Sequence, residues 1–152
     1  MYFKGCFSTS KSLRFRASVS SFYFTENITA DLLLLPETFS TGFCINRKDV
    51  QEPVEGGIAL TWLKKIAQQY NCVVAGTVLI SQNDKKVNRF YWIFADGTVE
   101  HYDKRHLFRL GKEQDFVEQG QHRKIFTINN IKISRSSVYS TLYACPSIPS
   151  YT

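Results

Sequence analysis

The sequence predicts an α/β domain on three observations. Two short apolar runs, Asp31 to Leu35 and Cys72 to Ile80, have the look of strands buried on both faces. Between them lies a segment whose apolar residues recur at helical spacing. A strand, a helix and a second strand make one α/β unit.

The elements follow in order. Residues 8–22 are Ser-rich and basic, with Phe and Val at no clear period, and no element is assigned to them. Asp31 to Leu35 ends at Pro36, where a missing N–H breaks a ladder, so Glu37 is expected at a strand's carboxyl end. From Ala59, residues Trp62, Leu63, Ile66, Ala67 and Tyr70 fall three or four apart, with Lys64, Lys65, Gln68 and Gln69 on the other face. Gly56-Gly57 precede this helix and Asn71 is its expected stop. The β-branched run CVVAGTVLI, from Cys72 to Ile80, follows as a strand. Asn83-Asp84-Lys85 is a turn and Val87 to Phe94 a further strand; Asp96-Gly97 then returns the chain antiparallel through Val99 to Asp103. Residues 104–120 are polar and irregular, and Lys124 to Ile128 and Ile131 to Ile133 flank Asn129-Asn130 as a second hairpin. Beyond Arg135 no strand or helix pattern is legible: residues 136–152 hold five Ser, three Tyr, two Pro and no charge.

A chain of 152 residues, 43% hydrophobic and 14% aromatic, suits one globular domain. Its net charge of +6 invites a polyanion-binding reading, but the surplus lies in the ends. Residues 31–120 hold 11 bases against 12 acids, and no zinc finger or patterned basic helix accompanies the basic ends, so nucleic acid is not an expected partner. Uninterrupted apolar runs such as Leu32 to Leu35 are far below the roughly 20 residues of a membrane span, so no membrane is expected either. Cys6, Cys44, Cys72 and Cys145 form no CxxC pair, which points to a reducing compartment and a cytoplasmic location. No apolar signal region opens the chain; Lys11, Arg14 and Arg16, in a Ser-rich stretch without an acid before Glu26, also fit an amphipathic transit peptide. His101 and His106 have no acid or Cys at metal-ligand spacing, and neither a metal nor another cofactor is expected.

Two segments carry more than the rest: LLLLPETFSTGF at 32–43 and YDKRHLFRLGKEQDF at 102–116. With AGTVLI and VNRFYWIFADGTVEHYDKRHLF, they resemble the nitrilase superfamily of carbon–nitrogen hydrolases, and within it the omega-amidase branch. The resemblance runs from about Asp31 to Ile133. It implies a four-layer α-β-β-α sandwich, here partial and incomplete at the C-terminus, and a small-molecule amide substrate. It also implies a Glu-Lys-Cys triad. Glu37 matches the general base, Lys104 the cation that stabilises the oxyanion, and Glu113 a second acid that positions substrate and lysine.

The nucleophile has no match. Where the family places a Cys followed by an aromatic and an acid, residues 134–141 read SRSSVYST, and Cys145 comes several residues late before Pro146-Ser147-Ile148. Cys44 and Cys72 read as small core residues. The chain is therefore divided into an atypical segment 1–30, a hydrolase-like part 31–133 and a non-matching Ser/Tyr-rich tail 134–152, as reading-frame shifts near 25–30 and 134–136 would produce. The expectation is a fragment of an enzyme that hydrolyses the terminal amide of 2-oxo acid amides such as 2-oxoglutaramate, inactive for want of its Cys. The alternative is a non-catalytic partner of an intact homologue. Homo-oligomers are the family's habit.

Overall fold

A computed structural model describes residues 15–17, 30–83, 85–136 and 141–144, with side chains over 30–83 and 85–134. The elements are β1 (Phe15–Ala17), β2 (Leu32–Leu34), β3 (Glu52–Pro53), α1 (Ile58–Tyr70), β4 (Val73–Gln82), β5 (Lys85–Ile93), β6 (Val99–Asp103), β7 (Ile125–Ile128), β8 (Ile131–Ser136) and β9 (Thr141–Ala144).

The first sheet runs β1-β2-β4-β5-β6, with β3 also paired to β4. β2 and β4 are parallel, Leu32 opposite Val73, while β5 is antiparallel to both β4 and β6. Strands β2, β4 and β6 thus point the same way, and their carboxyl ends share one edge. Parallel pairing demands a crossover, which α1 supplies. Gly57 caps the start of α1 with its carbonyl, and Glu52 reaches from β3 to accept the Ala59 N–H at 2.9 Å, so a carboxylate faces the positive end of the helix. Asn71, left-handed at φ 46°, ends the helix and turns the chain into β4.

Side-chain alternation sorts the sheet into two faces. On one, Leu33, Val74, Val78 and Tyr91 pack against Ala59, Leu63, Ile66 and Ala67 of α1. On the other, Leu32, Leu34, Ala75, Phe90 and Trp92 meet Phe126, Ile128 and Ile133 of the second sheet, β7-β8-β9. Phe126 stacks on Trp92 at 5.0 Å and meets Phe90 edge-on at 5.5 Å, so these rings fill the space between the sheets. Helix, sheet and sheet are three layers of the expected sandwich.

Two features differ from the sequence reading. Phe15–Ala17, within the stretch assigned no element, pairs parallel to β2, and Thr141–Ala144, within the tail that shows no strand pattern, pairs antiparallel to β8. Both strands are three or four residues long, too short for a period to show. Cys6, Cys145 and most of the tail lie outside the described residues.

Candidate active site

Glu37 follows the carboxyl end of β2 and Lys104 that of β6, on strands that point the same way. Three strand spacings separate them, roughly 14 Å, so the connecting turns must lean over the sheet edge. Leu35 donates the last ladder bond, to Ala75 O at 2.8 Å, and Pro36 cannot continue it. Thr38, left-handed at φ 45°, turns the chain inward, and its N–H donates to Thr77 Oγ1 of β4 at 2.6 Å. This close approach needs Gly76: a Cβ there would stand 3.1 Å from both Leu35 and Phe39.

Lys104 is anchored through its backbone, whose N–H donates to Asn88 O of β5 at 2.9 Å. The following loop winds through short 3-10 turns at Arg109–Gly111 and Glu113–Asp115 and swings Glu113 back beneath the lysine. The structure brings the three expected residues together. Lys104 Nζ lies 2.7 Å from Glu37 Oε1 and 2.8 Å from Glu113 Oε2. Lys104 is 2% exposed and Glu113 fully buried, whereas the Glu37 side chain keeps 19% of its surface. That difference separates the carboxylates. Both oxygens of Glu113 serve protein donors: Oε1 accepts from Asn88 Nδ2 at 3.0 Å, and Oε2 from Lys104 and the Phe108 N–H, the latter at 2.7 Å.

Asn88 is the participant that the sequence reading does not single out. Its Nδ2 also donates to Glu37 Oε1 at 2.8 Å, closing a ring through Glu37, Asn88, Glu113 and Lys104. The one signal for it is a lone amide in β5, between Val87 and Arg89 and ahead of the apolar residues 90–93. Phe43 stands beside the cluster, its ring centroid 6.0 Å from Lys104 Nζ and edge-on to Phe108 at 6.3 Å. A separate cleft, lined by Arg105, His106, Phe108, Arg109 and Gln119, opens nearby, and only Phe108 belongs to both.

The ring can position an ammonium against developing negative charge and offer a carboxylate as base. Among the described residues no group of three or more His, Cys, Asp or Glu is placed to hold a metal ion, and the cation in the cluster is Lys104 itself. Of the cysteines described, Cys72 is buried, and burial pushes its thiol up, away from thiolate. Cys44 is half-buried in the loop after Phe43. Among the described residues no helix is long and apolar enough to cross a membrane.

Comparison with known proteins adds relatives to this geometry. Residues 18–145 match the model of the carbon-nitrogen hydrolase family. The chain is 37% identical over 101 residues to omega-amidase YafV of Escherichia coli K12, covering 66% of this chain and 39% of that protein. It is 32% identical over 111 residues to 2-oxoglutaramate amidase of Bacillus subtilis, covering 72% and 43% respectively. The chain thus spans about two fifths of the length of these relatives. Among solved structures, XC1258 of Xanthomonas campestris, described as a CN-hydrolase superfamily protein with an arsenic adduct in its active site, superposes with a TM-score of 0.65 at 32% identity over 69% of this chain and 39% of that one. Saccharomyces cerevisiae Nit3, at a TM-score of 0.56 and 21% identity over 66% and 39%, shares the fold.

Proposed function

This chain belongs to the carbon-nitrogen hydrolase family, and from that premise we propose that Glu37, Lys104 and Glu113 form the acid–base and oxyanion part of an omega-amidase site. The observation that carries the reading is the buried Lys104 ammonium held at 2.7 and 2.8 Å by two carboxylates at one edge of the sheet. Similarity to proteins named omega-amidase and 2-oxoglutaramate amidase supports the substrate class, a small 2-oxo acid amide.

Chemically, the partly exposed Glu37 takes the proton of an attacking nucleophile and passes it to the departing amide nitrogen, which leaves as ammonia. Lys104 donates to the oxyanion of the tetrahedral intermediate, and Glu113, with no oxygen to spare, keeps that ammonium in place. Glu37 then takes a proton from the water that releases the 2-oxo acid.

On this reading the family's nucleophile has no counterpart in the chain. The family's Cys position falls in residues 134–141, which hold no cysteine, and the buried Cys72, with its raised pKa, is no activated thiolate. The chain by itself is therefore an inactive acid–base half of the site.

Ammonia release from 2-oxoglutaramate, with intact-mass detection of an acyl adduct, tests both parts. The expected result is neither turnover nor adduct. Turnover that disappears in Glu37→Gln and Lys104→Ala would overturn inactivity and keep the roles; turnover that survives both substitutions would overturn the roles.

A further inference from the structure

We infer that Asn88 is a positioning residue of this site, a neutral bridge that sets the distance between the two carboxylates and so the pocket in which Lys104 sits. The inference rests on the amidase reading of the cluster.

Glu37 and Glu113 are both held by one ammonium and would repel each other across it. An additional donor between them must be short, rigid and uncharged. Asn88 Nδ2 meets that need, because its two protons reach Glu37 Oε1 at 2.8 Å and Glu113 Oε1 at 3.0 Å from one nitrogen. A second cation would also bridge the pair, but it would oppose the proton uptake that a base must perform. The amide holds both acids without adding charge.

The way the amide is turned is fixed by the same chemistry. Reversed, its carbonyl oxygen would face two carboxylates. As it stands, Asn88 is fully buried and Oδ1 has no hydrogen-bond partner among the described residues. A buried acceptor left unsatisfied is costly, and the donor side is what offsets it. Backbone and side chain act together, since Asn88 O also accepts the Lys104 N–H at 2.9 Å. Position 88 thus touches all three charged members, one of them through the main chain.

Side-chain NMR of the 15N-labelled full chain tests this without needing turnover. The two Asn88 amide protons are expected as separate, downfield, slowly exchanging signals, with Glu37→Gln moving one and Glu113→Gln the other. Asn88→Leu, close in size and without a donor, is expected to abolish the slow-exchange ammonium signal of Lys104. Val78→Ala, a destabilising change on the opposite face of the sheet, leaves it in place. Asn88 protons that exchange like those of an exposed side chain, or a Lys104 signal unchanged in Asn88→Leu, overturn the inference. If Asn88→Leu does not fold, the amide protons and the two Gln variants decide alone. Amide turnover that survives Lys104→Ala while the Asn88 signals stay in place overturns the amidase reading and leaves the bridge standing.

Discussion

Gly120 lies so close to Asp103 that a Cβ on the glycine would stand 2.1 Å from the Asp103 carbonyl oxygen and 2.7 Å from its carbon. The contact closes the loop that carries Glu113, for the Gly120 N–H donates to Lys104 O at 3.0 Å. No flexible side-chain end can yield here, because the two nearest atoms are backbone and the third is Asp103 Cβ. Gly120→Ala is therefore expected to push Lys104 away from Glu37 and to destabilise the fold by more than the roughly 1–3 kcal/mol usual for overpacking. Gly76→Ala, where the nearest atoms are side chains of Leu35 and Phe39 at 3.1 Å, should stay within that range. Urea denaturation of the two variants side by side checks the order; equal losses would contradict it.

Removing the ammonium from the cluster exposes what it neutralises. Lys104→Met leaves Glu113 fully buried with only the amides of Asn88 and Phe108 as donors, facing Glu37. Breaking a buried ion pair from one side costs about 3–5 kcal/mol. Lys104→Met/Glu113→Gln removes the stranded charge and should recover most of that loss. A double variant no more stable than the single one would show that the cost is packing and not charge.

The elements with enough residues to display a period were legible in the chain, and so were the residues that belong to a motif. Leu33 and Leu63 announce β2 and α1, and Asp96-Gly97 announces the β5–β6 hairpin. β3 was not legible, since Glu52–Pro53 is only two residues and its purpose, reaching the amide of Ala59, appears when the helix is in place. Glu37, Lys104 and Glu113 were singled out by resemblance, and the fold brings them together. Asn88 escaped because its partners Glu37 and Glu113 are 51 and 25 residues away along the chain, and an amide next to Arg89 in a strand of mixed character says nothing of what will face it. The loop 104–120 was unreadable for a related reason: it is held by single bonds to carbonyls, such as Glu118 N–H to Lys86 O at 2.7 Å, which leave no periodic trace.

Lys86 lies two residues before Asn88 on β5 and pins the loop that carries Phe43. Its ammonium donates at 2.6 Å to both Ile45 O and Arg47 O, although burial pulls its pKa below the usual lysine value. Hydrogen bonds to a charged donor are worth about 1.5–3 kcal/mol, and relief of its burial returns part of this, so Lys86→Met should lose about 1–2 kcal/mol. The loss should be local. Amide hydrogen exchange is expected to quicken at Cys44 and Arg47 while β4 stays protected; uniform quickening would mean that the lysine supports the whole fold instead.

Tyr91 is expected to weaken this fold in alkali. It is 2% exposed, and burial raises its pKa above the ordinary 10.0 although the Arg89 guanidinium, by charge and by hydrogen bonding, acts to lower it. A group whose folded pKa is raised contributes stability that is fully present below its unfolded value and lost as pH rises toward and through the folded one. Above about pH 10 the unfolded chain releases the phenolic proton that the native state still holds, so stability falls as pH rises. Cys72 acts in the same direction from its own unfolded value of 9.0, because burial raises its thiol too. Tyr91→Phe removes a buried hydroxyl beside an Arg89 guanidinium that keeps its bonds to Asp103 and Gln82, and at neutral pH its stability should lie within about 1 kcal/mol of the parent chain. Between pH 10 and 11 the variant should melt at a higher temperature than the parent, and Cys72→Ala should begin to separate from it about one pH unit earlier. Thermal melts from pH 7 to 11 decide the matter: a parent and a Tyr91→Phe variant that decline in parallel would place the alkaline weakness in some other group.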